Sequence, residues 1–154
     1  MKTRFYLAYG SNLNLDQMKY RCPGARVVGT AEIEGYELLF KGSQTGAYLT
    51  IEKKEGGIVP VAVWEVTDFD EDRLDVYEGY PRFYYKKNLR IDVECFDNDE
   101  IVEMDAFVYI MHEDRKLGTP SDYYVAGCLE GYREFDFDED YIWEAYKKSM
   151  RVAG

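Results

Sequence analysis

Two places in this sequence carry residue types that could do chemistry: the run Tyr9-Gly10-Ser11-Asn12-Leu13, and Glu78. The run closes an apolar stretch, Phe5-Tyr6-Leu7-Ala8-Tyr9, and a helical pattern follows it. Gly lets backbone approach a ligand closely. Ser and Asn favour turns and helix N-caps. A strand-to-helix turn of this kind presents N–H groups at the positive end of a helix, where a carboxylate or phosphate can bind. The plain alternative is an ordinary strand–loop–helix junction. Glu78 sits near a predicted helix end and shares a face with Leu74 and Tyr77 through i, i+3, i+4 spacing. Burial on that apolar side and the negative end of the helix dipole would both raise its pKa, which suits a proton-transfer residue. The alternative is an exposed Glu at a fraying helix end.

These groups need elements to hold them. Thr67 or Asp68 can cap the Glu78 helix, with Glu71 three residues after Asp68 as in a capping box, and Gly79 and Pro81 stop it. Upstream, a strand over Phe5–Tyr9 leads to a helix from Leu13 to about Arg21, ended by Pro23-Gly24. Residues 25–33 and 36–41 read as strands broken at Gly35, and residues 47–54 and 58–66 as a hairpin around Gly56-Gly57. Downstream come strands at 84–96 and 101–111, joined by Asp97-Asn98-Asp99. Alternation in Leu89-Arg90-Ile91-Asp92-Val93-Glu94 marks a half-buried strand. Ser121 caps a helix to about Glu130, and a last helix spans about Glu139 to Met150. The pattern predicts an α+β fold with a mixed, mainly antiparallel sheet, in a single domain over residues 1–154.

Composition narrows the chemistry. Hydrophobic residues make up 46% of the 154-residue chain, enough for a real core. A formal charge of −11 argues against nucleic acid or an anionic membrane surface as partner. No run is apolar enough to span a bilayer, and the start lacks a cleavage site, so the expected location is cytoplasmic. Cys22, Cys95 and Cys128 give neither a disulfide framework nor a metal pair. His112 is the only histidine, and no Ser or Cys motif accompanies it, so a nucleophilic triad or a zinc site is not expected. The acidic clusters 68–72 and 136–140 lack calcium-loop spacing and read as helix N-termini. No phosphate-cradling glycine motif is present. An enzyme using one carboxylate, with no metal and no cofactor, fits what is left.

Tyr9-Gly10-Ser11-Asn12-Leu13, then Glu78-Gly79, then Pro120-Ser121-Asp122-Tyr123-Tyr124, in that order and spacing, resemble the gamma-glutamylcyclotransferase family. The resemblance runs from Phe5 to about Tyr132, and the acidic, aromatic tail beyond departs from it. It implies a small sheet closing toward a barrel with helices around it. It also implies cleavage of gamma-glutamyl amides by cyclisation to 5-oxoproline, with Glu78 as acid and base. The partner would be a small gamma-glutamyl molecule, held by Tyr9, Gly10, Ser11, Asn12 and Leu13. Tyr124 would line the pocket, and Tyr85 and Arg82 are further candidates. Two other outcomes stay open: a binding domain that keeps the pocket without turnover, and a tailoring enzyme acting on a gamma-glutamylated biosynthetic intermediate. A homodimer is equally open.

Overall fold

Long strands carry most of the chain. The computed structural model describes residues 2–43 and 46–153. In order, the elements are β1 (Thr3–Ala8), a 3₁₀ turn (Ser11–Leu13), α1 (Leu15–Arg21), β2 (Arg26–Ser43), β3 (Gly46–Thr67), α2 (Asp68–Glu78), β4 (Tyr84–Cys95), β5 (Ile101–Met111), β6 (Lys116–Leu117), α3 (Asp122–Glu134) and α4 (Asp140–Ala153). The strands run β3-β1-β5-β4-β2-β6, and β2 also pairs with β3, so five strands close into a barrel. All pairings among the described residues are antiparallel except β1 with β5. The mixed, mainly antiparallel barrel with flanking helices is the expected class. Closure removes the free strand edges.

The core follows from the pattern of apolar residues. Ala106 to Met111 of β5 is buried on both faces, as is Val59 to Trp64 of β3 apart from Pro60's missing donor, because helices cover what the barrel interior does not. Helix α4 packs on β2. Helix α3 lies so close to the 3₁₀ turn that a Cβ at Gly131 would fall 2.7 Å from Leu13 Cβ and 2.9 Å from Asn14 N. Only glycine allows that approach. Glu134 of α3 accepts the Leu15 N–H at 3.1 Å, so the end of α3 clamps the start of α1.

Several boundaries differ from the expectation. Strand β2 runs through Gly35, where the register slips between Glu34 and Tyr36. Gly56-Gly57 is not a hairpin turn either. Tyr36 pairs with Lys53 and Glu34 with Ile58, so the intervening residues of β3 bulge outward while the strand continues. Glycine marks a bulge as readily as a turn, and local sequence does not separate the two. The hairpin is β2–β3 itself, and its tip at residues 44 and 45 lies outside the described residues. Helix α1 starts at Leu15 rather than Leu13, because the Asn14 side chain caps it by accepting the Gln17 N–H at 3.1 Å. Helix α3 extends to Glu134, α4 starts at Asp140, and the short β6 had no sequence signal. No helix is long and apolar enough to cross a membrane, and no cluster of His, Cys, Asp and Glu among the described residues could hold a metal.

Candidate functional site

Tyr9 to Asn12, Glu78 and Tyr124 converge on a cavity of about 400 Å³ where α2 ends against the barrel wall. Its lining includes Tyr6 and Tyr9 of the first strand region, Gly10, Ser11 and Asn12 of the turn, Leu49 of β3, Glu78 of α2, Tyr84 of β4, Tyr109 of β5 and Tyr124 of α3. Among the described residues of that lining, Glu78 is the only one of the Asp, Glu, Lys, Arg and His types.

Glu78 is placed by the way α2 begins and ends. Thr67 caps the helix and Asp70 completes the capping box; Glu71 takes no part, since it is engaged in ion pairs instead. Leu74 is fully buried and anchors the face that also carries Glu78. At the far end Gly79 adopts a left-handed conformation (φ 65°). Its N–H donates to Val76 O at 3.2 Å, and the Tyr80 N–H donates to Asp75 O at 2.9 Å. That paired closure ends the helix at Glu78. The carboxylate is half-buried, and the Asn12 amide donates to it at 3.4 Å. Burial raises its pKa to about 7, while the Arg21 charge pulls the other way.

Asn12 is itself oriented. Arg21 Nη1 donates to its Oδ1, so its Nδ2 faces Tyr6 Oη, at 2.8 Å, and Glu78. The Arg21 guanidinium also lies 3.4 Å from the Tyr77 ring centroid, on the wall of the cavity. In the turn, Leu13 N–H donates to Gly10 O at 3.0 Å and Asn14 N–H to Ser11 O at 3.1 Å. The N–H groups of Ser11 and Asn12 find no acceptor among the described residues. The unengaged donors of the turn are therefore these two N–H groups, which precede the short α1. Leu13 corrects the expectation: its N–H is engaged and its side chain is fully buried in the core, outside the cavity. Gly10 has an ordinary negative φ of −127°. What a side chain would change is space, since a Cβ there would sit 3.4 Å from Tyr124 Oη.

The tyrosines divide by their hydroxyl partners. Tyr9 donates to Tyr109 O at 2.7 Å, Tyr84 to Leu49 O at 2.8 Å, and Tyr109 to Asp75 at 2.6 Å. Tyr6 and Tyr124 are acceptors, from Asn12 and from the Leu49 N–H at 3.1 Å, so each keeps a hydroxyl hydrogen to offer. Burial holds all five hydroxyls well above the ordinary tyrosine value, which keeps them neutral donors.

Tyr85 is a second correction. It lies on the opposite face of β4 from the cavity, near Tyr36, Glu52 and Lys87, and donates to Glu113. Successive strand residues alternate faces. Tyr84 shares its face with Lys86, which pairs with α2, whereas Tyr85 shares the face of Leu89 and Ile91. Arg82 is exposed and does not line the cavity. His112 donates from Nε2 to Pro81 O, 2.8 Å away, apart from the cavity. Sequence reasoning missed Tyr6, Tyr84 and Arg21. Only Arg21 had a local signal, its i, i+4 spacing from Gln17, whose side chain it also contacts at 3.4 Å.

The family model of gamma-glutamyl cyclotransferase, AIG2-like proteins matches residues 6–143, running past Tyr132 where the motif resemblance stopped. No curated protein matches the sequence. Solved structures do. A gamma-glutamyl cyclotransferase is 24% identical with a TM-score of 0.80, covering 94% of this chain and 86% of that one. The human uncharacterized protein loc79017 is 25% identical with a TM-score of 0.75, covering 87% of this chain and 80% of its own. A yeast gamma-glutamyl cyclotransferase specific to glutathione is 11% identical with a TM-score of 0.67, covering 98% and 97%. At 24% and 11% identity the likeness is one of fold.

Proposed function

The chain belongs to the gamma-glutamyl cyclotransferase, AIG2-like family, and from that premise we propose that it cleaves gamma-glutamyl amides by cyclisation, releasing 5-oxoproline and a free amine. The observation that carries this is Glu78: a half-buried carboxylate with a pKa near 7, set among neutral donors in the cavity at the end of α2. A group of that pKa can both accept and return a proton at neutral pH.

The substrate brings its own nucleophile, so the chemistry is complete without a cofactor. Glu78 takes a proton from the α-ammonium. The freed amine attacks the γ-carbonyl carbon, forming the ring N–C bond. The N–H groups of Ser11 and Asn12 lie where they can hold an anionic oxygen of the substrate, and Tyr6 and Tyr124 can donate to a second one. Collapse breaks the amide C–N bond as Glu78 returns the proton to the leaving nitrogen. A second proton follows from the ring nitrogen, and no water enters the products. Holding the glutamyl chain folded supplies much of the rate. The substrate is a small molecule.

The test is product identity. A gamma-glutamyl amide should yield 5-oxoproline by mass spectrometry, and its N-acetyl analogue, which lacks the nucleophile, should yield nothing. Glutamate as the product would instead mean hydrolysis and would overturn the proposal.

A further inference from the structure

A second cleft lies on the other face of β4, away from Glu78. Strands β2 and β4 pair only at Gly29–Cys95 and Thr30–Glu94 and then diverge, β2 staying with β3 and β4 with β5. The wedge between them holds a cavity of about 270 Å³, lined by Tyr36, Glu52, Lys53, Tyr85, Lys87 and Glu113. None of these residues lines the cavity at the end of α2. We propose that the wedge binds a small zwitterion, an α-amino acid with an uncharged side chain. Its carboxylate lies between Lys53 and Lys87, and its ammonium meets Glu113. Ligand pockets for drug-sized molecules run from about 300 Å³ upward, so this one is of a size for a single amino acid.

Charges of both signs face the wedge without meeting each other. Lys87 Nζ donates to the Tyr36 hydroxyl at 3.0 Å and sits 5.7 Å from the centroid of that ring. Neither Lys87 nor Lys53 has a carboxylate at ion-pair distance among the described residues. Glu113 accepts from the Tyr85 hydroxyl and has no cation partner among those residues. Glu52 alone is paired, with the buried Lys41. A simple anion would meet the two ammonium groups but also Glu113, and a simple cation would meet Glu113 but also the two ammonium groups. A zwitterion brings a counter-ion to each in one molecule. Tyr36 is 8% exposed, and its hydroxyl, an acceptor from Lys87, keeps a hydrogen to offer a carboxylate. Hydrogen bonds to neutral tyrosines hold Lys87 and Glu113 in place before any ligand arrives. The remaining wall is the two tyrosine rings, which suit an uncharged side chain.

Three probes with one side chain test this by titration calorimetry and amide chemical-shift mapping: L-leucine, which carries both charges, 4-methylpentanoate, which carries only the carboxylate, and 3-methylbutylamine, which carries only the ammonium. L-Leucine should bind about tenfold or more tightly than either singly charged probe, the scale of one unpaired charge. It should shift the amides of Tyr36, Lys53, Tyr85 and Glu113. Lys87→Met and Glu113→Gln should each weaken L-leucine about tenfold or more, whereas Glu78→Gln should leave its affinity unchanged. A singly charged probe that binds as tightly as L-leucine would overturn the proposal. So would L-leucine binding that is lost in Glu78→Gln and kept in Lys87→Met and Glu113→Gln, which would place it in the cavity at the end of α2. No binding of L-leucine up to roughly 10 mM would overturn it as well. None of these outcomes bears on cyclisation, which is read from a different cavity.

Discussion

Helix α2 presents Glu71 and Glu78 two turns apart on one side, and the protein treats them differently. Glu71, near the start, is buried and ion-paired with Arg4 and Lys86, each at 2.6 Å. Lys86 reaches on to Asp75 at 2.8 Å, which accepts the Tyr109 hydroxyl. Glu78, at the end, has a weak amide contact and no cation at hydrogen-bond distance among the described residues. A paired carboxylate keeps its charge and ties elements together. An unpaired one in the same apolar setting gives up its charge near neutral pH and becomes a proton carrier, at a cost in stability. Under the proposed function, the difference separates a structural acid from a chemical one within a single helix.

The largest effect that could break this contrast is on turnover. Glu78→Gln should lower kcat/KM by about 10²–10⁴-fold, while Glu71→Gln leaves it within a few-fold. Equal losses in both variants would show that the contrast has no bearing on chemistry. The next effect is on stability against pH. With the folded pKa at about 7 and the ordinary value at 4.5, the folded state holds the Glu78 proton more tightly. That stabilisation is complete below pH 4.5 and is lost as pH rises through 7, up to ~3 kcal/mol in all. Urea unfolding of the parent minus that of Glu78→Gln, across this window, isolates it, and a flat difference would refute the buried-acid description.

A smaller effect belongs to the other end of the helix. Glu71→Gln should lose about 1–3 kcal/mol, seen as a lower urea midpoint, because Arg4 and Lys86 lose a charged acceptor. No change would mean the ion pairs are surface decoration. The smallest effect concerns Arg21, which acts through Asn12. Arg21→Met should reduce kcat by roughly tenfold with little change in KM. The apparent pKa of the ascending limb of the rate profile should also rise, since Arg21 lowers that of Glu78. Tyr6, Tyr9, Tyr84 and Tyr124 face the same carboxylate but stay neutral throughout. An unmoved profile would reduce Arg21 to a packing residue.

Much of the fold was legible because its signals are local. The Thr67 cap, the Gly79 stop, the β4–β5 hairpin at Asp97-Asn98-Asp99 and the Ser121 cap each depend on neighbours within a few residues. Gly35 and Gly56-Gly57 misled because what they do depends on the partner strand, not on the residues beside them. The same limit applied at the site. Tyr9 to Asn12, Glu78 and Tyr124 do share a cavity, as the motifs implied. Tyr85, a candidate for its place just beyond Glu78, keeps step with apolar Leu89 and Ile91. The cavity lies on the other face, whose alternate residues include charged Lys86 and Arg90 and read as solvent-facing until α2 is placed over part of it. The orientation of Asn12 by Arg21 depends on how α1 turns back across the turn, and no spacing rule encodes that.

Strand β1 lies between β3 and β5, and the Tyr9 hydroxyl is tied to the carbonyl of a residue one hundred positions later. On the ribosome the chain emerges from its N-terminus, so the Gly10–Asn12 turn appears early with nothing to hold it in shape. Its opposing wall arrives with Glu78, Tyr84 and Tyr109, and the barrel cannot close before β5 is available. Pairings of such long sequence separation form late and slowly. The first-made part of the site is thus the last to become functional, and a nascent chain carrying the whole motif stays inert until most of the protein has been synthesised.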